Sequence, residues 1–395
     1  MRTKKIKLKE IASISAGSTA PDDKYFGDQG YPFIRVSHLD DLISGIDINT
    51  IPKVSEKHAE VFKLKKVRKG TLLLAKSGMS CLKNRVYQCT TDSFVVNHLA
   101  TIDVKNELAD PSYICYFLRW FNVSKLIVDE AYPSIRTSAI SEIEVSLPDM
   151  KEQRTIITLL DKAQNLIDKR KKAIAKLDEL VQAVFLDMFG DPVTNSKNLD
   201  TISLGELGEW KSGGTPSRGS KEYFKGNIPW YTSGELNDLY VNDSIEYITE
   251  TALKETSTKE VPIGALLLGM YDTAALKSSI TQKRSSCNQA IAFAKIDENL
   301  AETKYVYYAI QMGKEHYKRV QRGVRQKNLN LSMIKAIEIL YPSLELQKDF
   351  VRIADIIYLN KQQMNVQLQQ LESNFQALLQ KAFKGELIVK DGVTV

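Results

Sequence analysis

The chain has few of the residues that most often carry chemistry. Its 395 residues include four cysteines, four histidines and three tryptophans. Cys81, Cys89, Cys115 and Cys287 have neither CxxC spacing nor a dense framework, which excludes a disulfide scaffold and a thiolate zinc site. His38, His58, His98 and His316 are scattered, with no pair on one helix face, so no metal is expected. No apolar stretch approaches the ~18 residues of a membrane span. Met1-Arg2-Thr3-Lys4-Lys5 is not followed by a signal-type apolar core, and a reducing, cytoplasmic setting is the default. No glycine-rich dinucleotide loop follows a strand, and Gly313-Lys314-Glu315 lacks the upstream glycine and the hydroxyl residue of a phosphate loop. No Gly-x-Ser-x-Gly elbow occurs. Asp191-Pro192-Val193 is a helix stop rather than a base-methyltransferase loop, and Asp149-Met150-Lys151 has no second acidic triplet near it. Neither sign of charge dominates: 54 basic residues face 48 acidic ones, and the net charge of +6 only hints at an anionic partner. These absences leave a binding protein without a cofactor as the leading class.

What is present is repetition. Apolar residues make up 43% of the chain, enough for two or three packed cores. Gly70-Thr71-Leu72-Leu73-Leu74 reads against Gly264-Ala265-Leu266-Leu267-Leu268 at an offset of 194 residues, and Leu82-Lys83 reads against Leu276-Lys277 at the same offset. Tyr25-Phe26 with Pro32-Phe33 matches Tyr223-Phe224 with Pro229-Trp230, and Ile143-Glu144-Val145 with Pro148 matches Ile337-Glu338-Ile339 with Pro342. The chain is two copies of one unit. Each copy starts with about 150 residues of β-rich runs punctuated by glycine and proline, with a helix near Pro111–Asn122 and near Glu302–Met312. A long helix then opens after Pro148 and after Pro342. The expected parts are a mixed α/β domain over 1–150, a helix over 151–189, a second domain over 190–344, a helix over 345–386 and a tail over 387–395.

Both helices carry a heptad seam. From Ile156 it runs through Leu160, Ala163, Ile167, Arg170, Ile174, Leu177, Val181, Val184 and Met188. The matching frame runs Phe350, Ala354, Ile357, Lys361, Met364, Leu368, Leu371, Phe375, Leu378 and Ala382. Two seams, each interrupted by one basic residue, predict that the helices pack on each other as an antiparallel pair. Arg170 and Lys361 are expected to fix register or to face a partner subunit, because an unpaired charge on a seam is costly.

The anion-binding surface is expected where basic residues gather without acids. No acid lies between Val61 and Thr91, a window that holds Lys76, Lys83 and Arg85. The second copy repeats this with Lys277, Lys283 and Arg284, and a further window over His316–Ile337 adds Arg325 and Lys327. Lysine and arginine in such windows suit phosphate neutralisation. Base reading needs side chains with paired donors and acceptors. The candidates are Arg35, His38, Asn84, Arg85 and Asn97 in the first copy, and Ser233, Glu235, Gln282, Arg284, Asn288, Arg325, Gln326 and Asn328 in the second. Arg136, just ahead of Thr137-Ser138, stands where backbone N–H groups could also meet phosphate.

On these features the chain resembles the specificity subunit of type I restriction–modification enzymes, over essentially its whole length. Gly-Gly-Thr-Pro (213–216), Ile-Pro-Trp (228–230), Leu-Pro-Asp-Met-Lys-Glu-Gln-Arg (147–154), Met-Phe-Gly-Asp-Pro (188–192) and Lys-Ala-Phe-Lys-Gly-Glu-Leu (381–387) carry the likeness. Two departures stand out: Leu346 replaces the acidic residue ahead of Gln347, and Ser-Thr-Ala-Pro (18–21) replaces Gly-Thr-Pro. The resemblance implies an α+β chain of two similar target-recognition domains and an antiparallel helix pair with internal pseudo-twofold symmetry. It implies that each domain reads one half of a bipartite double-stranded DNA site. The helices would set the spacer and dock two methyltransferase subunits, which bind S-adenosylmethionine. Two restriction subunits would add ATP-driven cleavage where they exist. The chain itself would do no catalysis and meet no membrane. A fused methyltransferase or nuclease and a protein-only coiled-coil adaptor are the competing readings.

Overall fold

A computed structural model of the chain describes residues 4–271, 274–320, 328–387, 389–390 and 393–394. The chain divides into two compact units, residues 1–171 with 366–395 and residues 172–365.

In the first unit the Leu72–Ala75 strand lies at the centre of an antiparallel sheet, because Leu72, Leu73 and Leu74 are buried on both faces. It pairs with Leu99–Val104, which pairs in turn with Ala12–Ala16, and its other edge carries Val86–Gln88. A second sheet orders Lys53–Val54, Tyr31–Ile34, Ser93–Val95 and Lys66–Val67, with Tyr31–Ile34 and Ser93–Val95 parallel. The domain helix Pro111–Phe121 begins with Pro111 behind Asp110, whose carboxylate accepts from Ser112 N–H at 2.9 Å.

The second unit repeats the plan. Leu266–Gly269 pairs with Ser278–Thr281 and Ile291–Ala294, and Ile228–Tyr231 runs parallel to Ser285–Cys287 in a second sheet. Its domain helix spans Thr303–Tyr317. Gly17 and Gly213 take equivalent places: a Cβ would overlap the carbonyl oxygens of Val95 and Val96 in one unit and of Cys287 and Asn288 in the other. These contacts account for the Gly-Ser-Thr and Gly-Gly-Thr stretches.

The two long helices are continuous from Met150 to Phe189 and from Leu344 to Lys384. In the first unit the early part of the central helix runs antiparallel to the late part of the C-terminal helix, with Arg170 Nη1 donating to Gln367 Oε1 and Lys171 paired with Glu372 at 2.8 Å. In the second unit Lys361 Nζ meets Asp178 at 2.6 Å. Both basic seam residues thus find a polar partner across the helix pair. The buried stripe is wider than the heptad frame. Phe383 packs on Tyr113, Phe117 and Trp120, and Phe350 on Phe185, Phe189, Tyr305 and Tyr308. Within each unit both helices pack on the domain as well as on one another, so positions beside a and d are buried too.

The helix starts are fixed by two buried glutamines. Gln153 Nε2 donates to Pro148 O at 2.9 Å and its Oε1 accepts from Asp110 N–H at 2.9 Å. Gln347 does the same with Pro342 O at 2.9 Å and Glu302 N–H at 3.0 Å. The glutamine therefore ties domain helix to long helix, and the residue before it is free to change from Glu152 to Leu346. Gln347→Leu strands one buried donor and one buried acceptor, and should cost about 2–6 kcal/mol at ~1–3 kcal/mol for each. Urea unfolding checks this against the exposed Gln363→Leu, expected within ~0.5 kcal/mol of wild type.

Candidate nucleic-acid interface

In the first unit three segments meet where the Leu72–Ala75 strand ends. Lys76 N–H donates to His98 O at 2.9 Å, Ile135 N–H to Lys76 O at 2.8 Å, and Gly78 N–H to Pro133 O at 2.9 Å. Ser77 and Ser134 form an antiparallel bridge between them. This lattice gathers the backbones of Lys76, His98 and Arg136 at the end of the strand. Among the described residues neither Lys76 nor Arg136 has a carboxylate within ion-pair distance. Ser77 Oγ and His98 Nδ1 lie 2.6 Å apart. Met79 and Tyr132, 67% and 83% exposed, flank the basic groups with apolar surface.

Asn84, Arg85, Lys83, Arg35 and His38 meet partners within the domain. Asn84, in the left-handed region at φ 43°, accepts from Val123 N–H at 2.9 Å and donates to Arg119 O at 3.1 Å. Arg85 pairs with Asp40 at 2.6 Å, and Lys83 stands 3.9 Å from the same carboxylate. Arg35 pairs with Asp23 at 2.8 Å and lies over the Phe26 ring at 4.8 Å. His38 Nδ1 accepts from Arg35 N–H at 3.2 Å. Burial first, and the Arg35 charge second, hold the His38 pKa below its ordinary value.

The second unit builds the same lattice with other side chains. Met270 N–H donates to Ala290 O at 2.8 Å, Leu329 N–H donates to Met270 O at 2.7 Å, and Tyr271 bridges Asn328. Thus Lys76, Ser77, His98, Ser134 and Arg136 of the first unit correspond to Met270, Tyr271, Ala290, Asn328 and Asn330 of the second. Nearby, Ser233 opens a short turn that Glu235 closes by accepting from Thr232 N–H and Ile245 N–H, both at 2.8 Å. Lys277 donates to Asn237 Oδ1 at 2.7 Å, and Lys283 pairs with Asp243 at 2.8 Å. Arg284 is gripped by Glu250 and by Glu260, the latter at 2.7 Å, and these bonds raise its pKa. Asn288 Oδ1 accepts from Ala290 N–H at 3.1 Å, and Gln282 is exposed. Arg325, Gln326 and Lys327 lie outside the described residues.

Two residues at this surface escape a reading of the sequence. Gln289 accepts from Thr215 Oγ1, and by the hydrogen-bond pattern it stands where Asn97 stands in the first unit. The repeat offset there is 192 rather than 194, so aligning at the fixed offset sets Asn97 against the wrong partner. Arg218 pairs with Glu246 and lies over Phe224 and Trp230, much as Arg35 lies over the matching Phe26 in the first unit.

Among the described residues no group of three or more His, Cys, Asp or Glu could hold a metal ion. All four cysteines are buried, and burial pushes the Cys89 thiol up to about 12. Among the described residues no helix is long and apolar enough to cross a membrane.

The type I restriction modification DNA specificity domain matches twice, over residues 2–179 and 196–373. The chain is 25% identical over 256 residues to the EcoR124I/EcoR124II specificity subunit of Escherichia coli, covering 62% of each chain. It is 24% identical over 416 residues to the putative MjaX specificity subunit of Methanocaldococcus jannaschii, covering 97% of this chain and 93% of that one. Among solved structures, one from a type I R-M system superposes with a TM-score of 0.61 at 17% identity, covering 98% of both chains. The S subunit of a type I system from M. genitalium gives 0.52 at 16% identity, covering 97% and 96%.

Proposed function

The chain belongs to the type I restriction–modification DNA specificity family, and from this we propose that it carries the DNA address of a methyltransferase complex and does no chemistry itself. Each recognition domain reads one half of a bipartite duplex site. The two long helices set the spacer and dock methyltransferase subunits, two per chain, and two restriction subunits join where they exist. The assembly works in the cytoplasm, where the DNA is, and this chain needs no cofactor.

The observation that carries the reading is one backbone lattice furnished with two sets of side chains. A shared lattice docks both domains on duplex DNA in the same manner, and the differing side chains give each domain its own half-site. Lys76, Arg136, Lys83 and Lys277 neutralise phosphates, and by their chemistry Arg325, Gln326 and Lys327 are assigned to the DNA as well. Arg35, Arg85, Lys283 and Arg284 are held by carboxylates and reach DNA only by exchanging those partners. Asn84 and His38 shape the loops that present the rest, and Ser233 presents its hydroxyl from a turn.

Mapping methylated bases in DNA exposed to the complex should reveal an asymmetric site of two dissimilar halves around an unspecified spacer. A palindromic or continuous site would defeat the reading. The chain alone should transfer no methyl group from labelled S-adenosylmethionine, which separates it from a fused enzyme. Its DNA affinity should fall steeply with salt, which separates it from a protein-only adaptor.

A further inference from the structure

In the second unit the end of the domain helix Thr303–Tyr317 lies against the turn after the Leu266–Gly269 strand. Gln311 Nε2 donates to Leu276 O at 3.0 Å and to Ser278 Oγ. Gln311, Lys314 and Lys318 are spaced three and four apart, so they share a helical face. The Gln311 contact therefore carries Lys314 alongside Lys277, which follows Leu276 in its left-handed conformation at φ 58°, and Lys318, the C-cap of the helix, follows one turn after Lys314. The three ammonium groups are poorly compensated. Lys277 donates to a neutral amide, Asn237, and Lys318 meets Glu315 at 3.2 Å, a carboxylate whose side chain is 85% exposed. Lys314 is half-buried. Its pKa is held down by burial, then by the charge of Lys318 and, more weakly than Glu315 acts in the opposite sense, by that of Lys277.

The first unit lacks this cluster. There Arg119 takes the place of Gln311 and donates to Val86 O at 3.0 Å, while Asn122, at φ 59°, takes the place of Lys314 and accepts from Ser124 N–H. Lys314 and Lys318 are thus peculiar to the second unit, whereas Lys277 has a basic counterpart in the first. Gathering like charges at a half-buried position costs stability, and an anion that completes the set recovers it.

We propose that Lys277, Lys314 and Lys318 form a phosphate seat that grips one backbone phosphate of the duplex read by the second domain. This rests on the DNA reading above. The seat fixes the second domain on its half-site but carries no base preference, since phosphate contacts position rather than specify.

The test compares the full chain, assembled with its methyltransferase subunits, with a Lys314→Gln/Lys318→Gln variant. The DNA is a duplex bearing the mapped site or a scrambled one. The slope of log affinity against log salt should become shallower by ~0.9, the share of one phosphate. Affinity for both duplexes should drop by the same factor, and the melting temperature of the free chain should hold or rise as repulsion is relieved. An unchanged slope overturns the seat, as does a loss confined to the cognate duplex. A lowered melting temperature with the slope unchanged makes the lysines structural and also overturns it. If the wild-type complex itself shows no salt-dependent DNA binding, the DNA reading fails, and that outcome is distinct from the others.

Discussion

Replacing residues 1–150 with the same region of a family member that has another address should change one half of the methylated site completely and leave the other half untouched. The first domain has its own core, built on Leu72, Leu73, Leu74, Phe33 and Phe94, and its sheets pair only within it. On the proposed function the domain should therefore exchange as a module, provided its contacts with the long helices are kept. The junction with the helices is where such an exchange can fail for trivial reasons. Asp110 N–H binds Gln153, Tyr116 Oη donates to Asp161 at 2.6 Å, and Tyr113 and Phe117 pack on Phe383. A chimera that keeps Tyr113, Tyr116 and Phe117 should assemble as wild type, with only its specificity altered. Methylated-base mapping in cells carrying the chimera reads the outcome directly. Simultaneous change in both halves would mean that the domains do not read independently.

Why this exchange could be conceived from the sequence, while its details could not, follows from the physics of each signal. The repeat and the seams are local and periodic: Leu72-Leu73-Leu74 and Leu266-Leu267-Leu268 announce buried strands, and seven-residue spacing announces helices whatever they pack against. The base-reading and phosphate candidates are different, because a polar side chain declares its chemistry but not its partner. Arg284 stands in a window free of acids in the sequence, yet it meets Glu250 and Glu260 from elsewhere in the chain. Asn84 has the donor and acceptor of an adenine reader, and the left-handed turn it occupies spends both on Val123 and Arg119. Lys314 sits in a stretch that fails as a phosphate loop, and only the Gln311 contact brings it beside Lys277. The two buried glutamines were half legible. Pro…Gln marks the helix start, but the orphan N–H groups at Asp110 and Glu302 that it satisfies belong to another helix.

Inserting one heptad into each long helix should abolish methylation of the original site. The insertions belong after Ile174 and after Met364, which lie between the Arg170–Gln367 contact and the Asp178–Lys361 pair. Placed there, they leave both cross-helix contacts and the aromatic anchors at Phe383 and Phe350 in place. Seven residues keep the apolar seam in phase and lengthen each helix by about 10 Å. If the helices set the spacer, this demands roughly three more base pairs at ~3.4 Å each. Three base pairs also rotate the duplex by on the order of 100°, given ~10.5 per turn. The helix pair cannot supply that rotation, because a heptad insertion preserves its facing. Binding should therefore collapse to the non-specific level, or shift to a site with a longer spacer at reduced affinity. Circular dichroism and co-purification with the methyltransferase subunits establish that the longer chain is folded and assembled. Normal methylation of the original site by such a complex would show that spacer length is set elsewhere, and the role proposed for the helices would have to be given up.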